Sequence, residues 1–322
     1  MYKIILHGLF FLFTNCVLAQ NLIYNGDFEL YDSCPTNPST PGDLQIEHCL
    51  GWTSPRKIAT SDYFNVCNNP INGGLAGVPQ NGLGYQFPYN GNGYCGFFAW
   101  SPGWDLNGNV VQYSEYLQTK LYNRLKYGQG YSFSMYVSYS GYNYSVEKIG
   151  MLFSSENYNE NSYTPITANP QIVNSAGTLK DSLNWKIIEG FFFADGTEEY
   201  LTIGYFEDSL KISDTLNTYN EVFIKTESYY YVDGLELIET EVLIPNVFTP
   251  NDDLVNDNFE LDFYFDSFVI LNRWGEKIFE TTEDNRSWNG VDKNGEKVTE
   301  GSYFYVIHSG KLKLTGFVQV LR

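Results

Sequence analysis

The sequence predicts an all-β protein with two successive β-sandwiches, and three observations carry this prediction. Strand-like runs of alternating polar and apolar residues recur along the chain, whereas no long stretch has the period of about 3.6 residues of an amphipathic helix. Tyr and Phe, which are enriched in strands, number 27 and 23 among the 322 residues. Asn, Asp and Gly separate the runs, as expected where tight turns join antiparallel strands.

The clearest strand is the segment from Tyr131 to Ser140, in which large apolar residues alternate mostly with Ser. Such alternation places the apolar side chains on one face, as in a half-buried antiparallel strand. Comparable strands are predicted at 94–100, 115–121, 148–153, 185–194, 200–206 and 229–238. Together they favour a two-sheet sandwich of about eight or more strands between residues 20 and 240.

The first residues predict export. A short positive start at Lys3, an apolar stretch and the small-residue end Val17-Leu18-Ala19 form a signal peptide over residues 1–19, cut after Ala19. Cys16 raises the alternative of lipoprotein processing, but Asn15 before it is a poor fit to the small residue that such sites need. We therefore expect passage through the periplasm to an extracellular or outer-surface location.

The acidity of the chain excludes one class of partner. Removing residues 1–19 removes one Lys and no acid, so the remaining charge is 18 − 38 = −20. A nucleic-acid-binding protein presents basic surfaces, so we predict no nucleic-acid partner. After residue 20 no apolar run is long enough for a membrane helix, so we also expect no transmembrane segment in the mature chain.

Four cysteines remain in the mature chain, at Cys34, Cys49, Cys67 and Cys95. An even number in an exported protein predicts two disulfides, and four cysteines allow three pairings. We favour Cys34–Cys49 and Cys67–Cys95, because each closes a loop rich in Gly, Pro and Asn that has little packing of its own. Zinc is the alternative, but the sequence has no C-x₂-C spacing or nearby His pair.

Residues 244–322 carry a set of short motifs among strand-like runs, and they occur in a fixed order. The motif residues are Phe248, Pro250 and Asn251 with Asn256 and Asp257; Arg273, Trp274 and Gly275; Trp288 and Gly290; and Gly301 and Tyr303. This segment resembles the gliding-motility-associated C-terminal domain of surface and secreted proteins of Bacteroidota. The resemblance implies a small Ig-like sandwich that directs the protein to the type IX secretion machinery.

Two local expectations accompany this assignment. The family usually has Gly after the aspartates of its Pro-Asn loop, whereas Leu254 follows Asp253 here. The dipeptide Asn294-Gly295 predicts a type I′ hairpin, because both residues tolerate a positive φ.

The segment 20–240 also resembles a known superfamily at its two ends. Residues 25–29, NGDFE, open it and residues 229–237, YYYVDGLEL, close it. They are similar to the first and last strands of carbohydrate-binding-module jelly rolls, also called galactose-binding-like domains. The resemblance implies that the two ends lie together and that Glu29 and Asp233 share a structural calcium ion, since carboxylate oxygens suit Ca²⁺. The alternative is a surface acid at Glu29 and a turn acid at Asp233.

A glycan-binding jelly roll needs aromatic rings that stack on sugar faces beside polar groups. Six aromatic residues in or near loop-rich segments are candidates: Trp52, Tyr63, Tyr85, Trp100, Trp104 and Tyr142. The alternative for each is ordinary packing in a chain this rich in aromatics. A second candidate cation site is the loop 251–258, but its spacing differs from an EF-hand, and we favour a turn-forming role for its Asn and Asp residues.

Catalysis has little basis in the sequence. Outside residues 1–19 the histidines are His48 and His308, one in each predicted domain, and no pair of acids stands out. We assign no catalytic residue and expect a secreted or surface binding and adhesion protein that engages a polysaccharide or surface glycan. The alternatives are a structural surface-assembly module without a small ligand, and a glycoside hydrolase or lyase that uses two unassigned acids.

Overall fold

The computed structural model describes residues 20–322, except for 69–73, 105–109, 143, 163–164, 175–178, 208–211, 215–226, 243, 262, 264, 283–285 and 311. The predicted signal peptide lies outside the described residues. Apart from the short 3₁₀ helix Gln45–His48, the regular elements described are β-strands, so the all-β prediction is confirmed. No helix within the described part of the chain is long and apolar enough to cross a membrane.

The N-terminal part forms a two-sheet jelly-roll sandwich. Its strands are β1 (Trp52–Thr53), β2 (Asp62–Asn65), β3 (Gln80–Asn81), β4 (Gly84–Tyr85), β5 (Gly93–Trp104), β6 (Val110–Tyr113), β7 (Tyr116–Lys120), β8 (Gly130–Tyr139), β9 (Tyr144–Val146), β10 (Gly150–Ser154), β11 (Ile172–Val173), β12 (Lys186–Phe193), β13 (Tyr200–Gly204), β14 (Ile212–Asp214) and β15 (Ser228–Thr240). One sheet has the order β1-β7-β13-β10-β11. The other has the order β12-β8-β15-β5-β2, with β6 added beside β5.

The core of this sandwich lies between the two sheets. Phe133 of β8, Phe153 of β10 and Phe192 of β12 are buried there. The rings of Phe153 and Phe192 stack with their centres 4.5 Å apart. Burying a Phe side chain stabilises a fold by about 1.5–3 kcal/mol, so the alternation that predicted β8 reports the core directly.

The opening segment pairs with the closing strand as the resemblance implies, but it is not a strand. The backbone N–H of Leu22 donates to Leu237 O, and that of Leu235 donates to Gly26 O. Asn25 and Phe28 have positive φ values of 52° and 56°, which interrupt any regular extended run. The expected strands at NGDFE are therefore replaced by a turn that lies against β15.

The C-terminal part forms a second, smaller sandwich. Its strands are β16 (Val247–Phe248), β17 (Phe259–Glu260), β18 (Ser267–Leu271), β19 (Lys277–Thr281), β20 (Ser287–Trp288), β21 (Gly301–Ser309) and β22 (Leu312–Val320). Five of them form a sheet in the order β16-β22-β21-β18-β19, and β17 pairs with β20. Trp288 is fully buried between Phe248 and Tyr303, with ring centres 5.3 and 5.4 Å away. Several residues of the sequence motifs thus form the core.

Phe263 is one point of contact between the two sandwiches. Phe263 of the C-terminal sandwich is buried against Phe191 and Phe193 of β12, with ring centres 6.2 and 4.9 Å away. β15 ends at Thr240 and β16 begins at Val247, so only a short stretch of chain joins the two sandwiches.

The disulfide pairing predicted from loop composition is wrong. Cys34 is bonded to Cys67, with their Cα atoms 5.9 Å apart, while Cys49 and Cys95 are unpaired and buried. Cys95 is the third residue of β5 and lies opposite Tyr63, and its side chain is buried in the core, away from Cys67 in the turn after β2. The buried Cys49 Sγ accepts a hydrogen bond from Asn25 at 3.3 Å. Strand direction, which loop composition does not report, decides the pairing.

The turn at Asn294-Gly295 also differs from its prediction. Gly295 has a φ of 81°, but Asn294 does not have a positive φ, as both central residues of a type I′ turn would. Asp292 accepts backbone hydrogen bonds from Asn294 and Glu296, and this side-chain capping replaces the predicted geometry.

Candidate functional site

The outer face of the six-stranded sheet is open where β12, β8 and the second half of β15 lie side by side. Strand register places three residues in each of three successive rows: Ile187, Tyr136 and Asp233; Glu189, Ser134 and Glu236; Phe191, Ser132 and Ile238. Part of this face forms a shallow trough of about 420 Å³. The trough is polar in the middle, where carboxylates flank Ser134, and apolar at the end nearest the C-terminal sandwich.

A cluster of four aromatic residues, three of them exposed, lies at the row that contains Ile187, Tyr136 and Asp233. Tyr89 stacks on Tyr136 with ring centres 3.5 Å apart and an angle of 15° between planes, and Tyr89 remains 45% exposed. Tyr85 and Phe87 are exposed and meet edge to face at 5.7 Å. We call these four residues the aromatic platform. Trp185, the residue before β12, supports it, because its Nε1 donates to the carbonyl of Phe87 at 2.9 Å.

Asp233 holds the loop that carries this platform. Its Oδ2 accepts the backbone N–H groups of Tyr89 at 2.8 Å and Asn90 at 3.2 Å, and its Oδ1 accepts that of Gly234 at 2.7 Å. Burial raises the pKa of Asp233 to about 7, and the three N–H donors only partly oppose this effect. Asp233 therefore positions Tyr89 over Tyr136.

Glu29 anchors the next part of the same loop. Its Oε1 accepts the backbone N–H groups of Asn92 at 2.6 Å and Gly93 at 2.9 Å, and its Oε2 accepts the side-chain amide of Asn92. A Cβ at Gly91 would lie 2.4 Å from this carboxylate, so only Gly allows the approach. Both predicted acids thus act as loop anchors.

The calcium ion that Glu29 and Asp233 are expected to share stays a prediction. All four carboxylate oxygens already accept hydrogen bonds from nitrogen, whereas Ca²⁺ takes six to eight oxygen ligands. Within the described residues, no group of three or more His, Cys, Asp or Glu side chains is placed to hold a metal ion. The acidic loop 251–258 is turn-forming as favoured, since Asp257 accepts the backbone N–H groups of Asn251, Asp252 and Leu254.

Four of the six aromatic residues proposed from sequence are buried instead of exposed: Trp52, Tyr63, Trp100 and Tyr142. Trp52 Nε1 donates to Asn25 O, and Tyr63 OH donates to Phe28 O, so both brace the opening turn from inside. The side chain of Trp104 lies outside the described residues. Of the six, Tyr85 is on the surface and belongs to the aromatic platform. Loop-rich sequence was a poor guide here, because Trp52, Tyr63 and Trp100 lie in strands β1, β2 and β5, whose side chains the fold buries.

Sequence reasoning missed Phe87, Tyr89 and Tyr136, although one signal was present. In β8 the polar face reads Ser132, Ser134, Tyr136 and Ser138. A large aromatic ring on the polar face of an amphipathic strand indicates a surface that is covered by something other than the core.

One cluster has the residue types of a hydrolytic triad but not its geometry. His48 Nδ1 lies 2.6 Å from Ser33 Oγ and 3.0 Å from Asp32 Oδ1. A triad requires the two ring nitrogens to face different partners, so that one takes the serine proton while the other is held by the acid. Here both partners contact the same nitrogen, and the cluster is exposed, so it does not form a relay.

The C-terminal sandwich has a recognisable counterpart. Residues 242–320 match the CHU_C type IX secretion signal domain. This match indicates export and a surface or extracellular place for the protein. No curated protein sequence matches the chain.

Several solved structures are similar to the chain at low identity. The K1 cleaved adhesin domain of Lys-gingipain from Porphyromonas gingivalis W83 is 15% identical, with 60% of this chain and 92% of that chain covered and a TM-score of 0.29. The CBM22-1 xylan-binding domain of Paenibacillus barcinonensis Xyn10C is 11% identical over 60% and 88%, with a TM-score of 0.32. A CBM4 structure is 11% identical over 68% and 99%, with a TM-score of 0.29.

Proposed function

We propose that this protein is an exported binding protein whose N-terminal sandwich holds a glycan on the outer face of its six-stranded sheet. The observation that carries the proposal is the aromatic platform beside the polar trough. Exposed aromatic rings contribute nothing to a core while they face water, and a cluster of them on a monomer usually serves an interaction.

The chemistry of this face suits a sugar. The apolar face of a pyranose ring packs against exposed Tyr89 or Tyr85. The hydroxyl groups then meet Ser134, Glu189 and Glu236, which lie in one row across three strands. Carboxylates accept hydrogen bonds from sugar hydroxyls and repel anionic ligands, so the expected ligand is a neutral polysaccharide.

Two alternatives make different predictions for the same face. A structural surface-assembly module would bind no small ligand there. A hydrolase would use Glu189 and Glu236, which flank Ser134 on neighbouring strands, as acid and base or nucleophile.

The test is glycan-array binding of the full chain followed by calorimetry with the best neutral glycan. Tyr89→Ala and Tyr85→Ala are each expected to weaken binding about fivefold, because one stacking contact is worth about 1 kcal/mol. Tyr127→Ala removes an exposed ring outside the platform and serves as the matched control.

Absence of binding to any glycan, or equal affinity of the platform variants and wild type, would contradict the proposal and favour the structural module. Release of new reducing ends that stops in Glu189→Gln or Glu236→Gln would favour the hydrolase instead.

A further inference from the structure

The five-stranded sheet of the C-terminal sandwich has one buried and one exposed face. Residues alternate strictly along β22: Leu312, Leu314, Val318 and Val320 face the core, whereas residues 313, 315, 317 and 319 are exposed on the opposite face. On the outward side, Leu271 of β18 is paired with Phe304 of β21, which is paired with Phe317 of β22. Three apolar side chains therefore form a row across three strands, and Phe304 and Phe317 are 46% and 48% exposed. We call this row the apolar row.

A rigid turn begins where the apolar row ends. Asn272 follows Leu271 directly, and its Oδ1 accepts the backbone N–H groups of Trp274 and Glu276, each at 3.0 Å. The turn projects Trp274, which is 73% exposed and has the Arg273 guanidinium 4.6 Å from its ring centre. A backbone fixed in this way presents the indole without a cost in loop ordering on binding.

The motif residues of this domain divide into two groups. Phe248, Trp288 and Tyr303 are buried, so folding accounts for them. Arg273 and Trp274 lie at the surface and pack mainly on each other, so folding does not account for them. Tryptophan and arginine are the residue types most enriched at the energetic centres of protein interfaces.

The apolar row stays accessible in the complete chain. The N-terminal sandwich meets this domain at Phe263, whose partners Phe191 and Phe193 belong to β12. The exposure of Phe304 and Phe317 is that of the full chain with both sandwiches present. A signal that is read on folded cargo needs such an accessible surface.

The charge around the row also differs from that of the rest of the molecule. The chain has a net charge of −19, yet Arg273, Lys277 and Lys313 border this face. Lys277 and Glu280 form an ion pair at 2.6 Å, so their charges offset each other. The positive charge of this face therefore comes from Arg273 and Lys313, while Glu276 is held by the side chain of Asn272. The surrounding field therefore favours a partner with carboxylates around an apolar centre.

We propose that the apolar row and the Arg273–Trp274 turn form the surface by which a component of the type IX secretion machinery recognises this domain. The occupant is a protein surface with an apolar slot for Trp274 and the two Phe rings, edged by acidic groups.

The test is export of the full chain in a bacterium that has the type IX system. Trp274→Ala, the pair Phe304→Ser/Phe317→Ser and the charge reversal Lys313→Glu are compared with wild type by fractionation and immunoblotting. Leu254→Ser is the matched control, because Leu254 is 94% exposed in the same domain but lies in the loop after β16. The Tm of each purified variant is measured in parallel.

We expect each row or turn variant to lower the exported fraction at least tenfold, with accumulation in the periplasm, while Leu254→Ser is exported like wild type. Wild-type export of both Trp274→Ala and the Phe pair would overturn the proposal. If the Phe pair lowers the Tm, Trp274→Ala and Lys313→Glu still decide, since neither side chain is buried. If these variants are exported normally but change the protein from a dimer to a monomer, the face serves self-association. That outcome would also overturn the proposal.

Discussion

The two sandwiches of this protein are stabilised by different chemistry. Among the described residues, the buried polar and charged side chains, including Asp62, Glu115, Glu198 and Asp233, all belong to the N-terminal sandwich. The described core of the C-terminal sandwich is aromatic and aliphatic, with Phe248, Trp288 and Ile307 fully buried. The disulfide is also in the N-terminal part.

This difference predicts which sandwich changes its stability when the pH or the redox conditions change. Buried carboxylates and a disulfide make the N-terminal sandwich sensitive to pH and to reductant. The described core of the C-terminal sandwich contains no buried carboxylate, so its pH dependence comes from surface acids such as Asp292. The N-terminal sandwich is therefore expected to change its stability with pH and reductant more than the C-terminal sandwich does.

The largest expected effect is on export, which is predicted to depend on the C-terminal sandwich. Deleting residues 244–322 should abolish export and leave the protein in the periplasm, because the signal domain is lost. Protease accessibility on whole cells measures the surface fraction, and binding of the periplasmic product to the glycan identified on the array controls for folding. Unchanged surface display of the truncated chain would show that the address lies elsewhere.

The disulfide should affect one sandwich and not the other. The sequence separation of Cys34 and Cys67 is 33 residues, and replacing both by Ala is expected to lower the free energy of unfolding of the N-terminal sandwich by about 4 kcal/mol in the chain-entropy model. Hydrogen exchange read by mass spectrometry resolves the two parts, and the C-terminal peptides should keep their protection. Non-reducing peptide maps should show the Cys34–Cys67 cross-link, and a Cys34–Cys49 cross-link would contradict the structure.

The pH dependence of stability should have opposite signs in the two sandwiches. Burial raises the pKa of Asp62 from its usual 3.8 to about 7, against the opposing hydrogen bonds from Tyr229 and Ser39. The folded state then holds a proton that the unfolded chain has lost. The stability of the N-terminal sandwich should therefore fall as the pH rises from about 4 to about 7, and then level off.

In the C-terminal sandwich, the backbone N–H groups of Glu296 and Asn294 lower the pKa of Asp292. Its contribution is present above the unfolded pKa of 3.8 and is lost as the pH falls through the lower folded value. Urea unfolding followed by circular dichroism, at pH values between about 3 and about 8, measures both effects. Asp62→Asn should reduce the fall in the unfolding free energy of the N-terminal sandwich between about pH 4 and about pH 7. Asp292→Asn should reduce the loss of stability of the C-terminal sandwich in acid. A rise in N-terminal stability towards about pH 7 would contradict the assignment.

The smallest expected effect concerns backbone strain. Leu254 has a φ of 70°, a conformation that costs a residue with a Cβ about 1–2 kcal/mol. Leu254→Gly should therefore raise the stability of the C-terminal sandwich by about 1 kcal/mol in urea unfolding. Asn25 is the matched control in the N-terminal sandwich, because its φ is also positive but its side chain bonds Leu30 and Leu50. Asn25→Gly should lower stability, and equal effects of the two changes would refute the strain argument.

Much of the fold was predictable from local pattern. The alternation of β8 predicted a strand from Tyr131 to Ser140, and the structure has one from Gly130 to Tyr139. The C-terminal motifs predicted a small sandwich, and in the structure Phe248 and Trp288 of these motifs pack together. These features depend on residues close in sequence, or on motifs that occur as a set. Local reasoning failed where long-range contacts decide, as at Cys95, whose direction is set by its place in β5.

The candidate site was less predictable than the fold. Trp52 and Tyr85 both follow Gly in loop-rich sequence, yet the first is buried and the second is exposed. What separates them is the path of the 84–93 loop over the sheet, which depends on Asp233, more than a hundred residues away in the chain. Exposure of an aromatic ring is a property of the assembled fold, and composition does not report it.

The burial of Phe263 against the N-terminal sandwich matters when the C-terminal domain is fused to another protein. In the native chain the ring is covered by Phe191 and Phe193, but a reporter fused to residues 242–320 would leave it in water. An exposed ring of this size invites aggregation or a false contact with the passenger. A portable version of the tag should therefore replace Phe263 by a small polar residue, and the junction would then depend on the passenger alone.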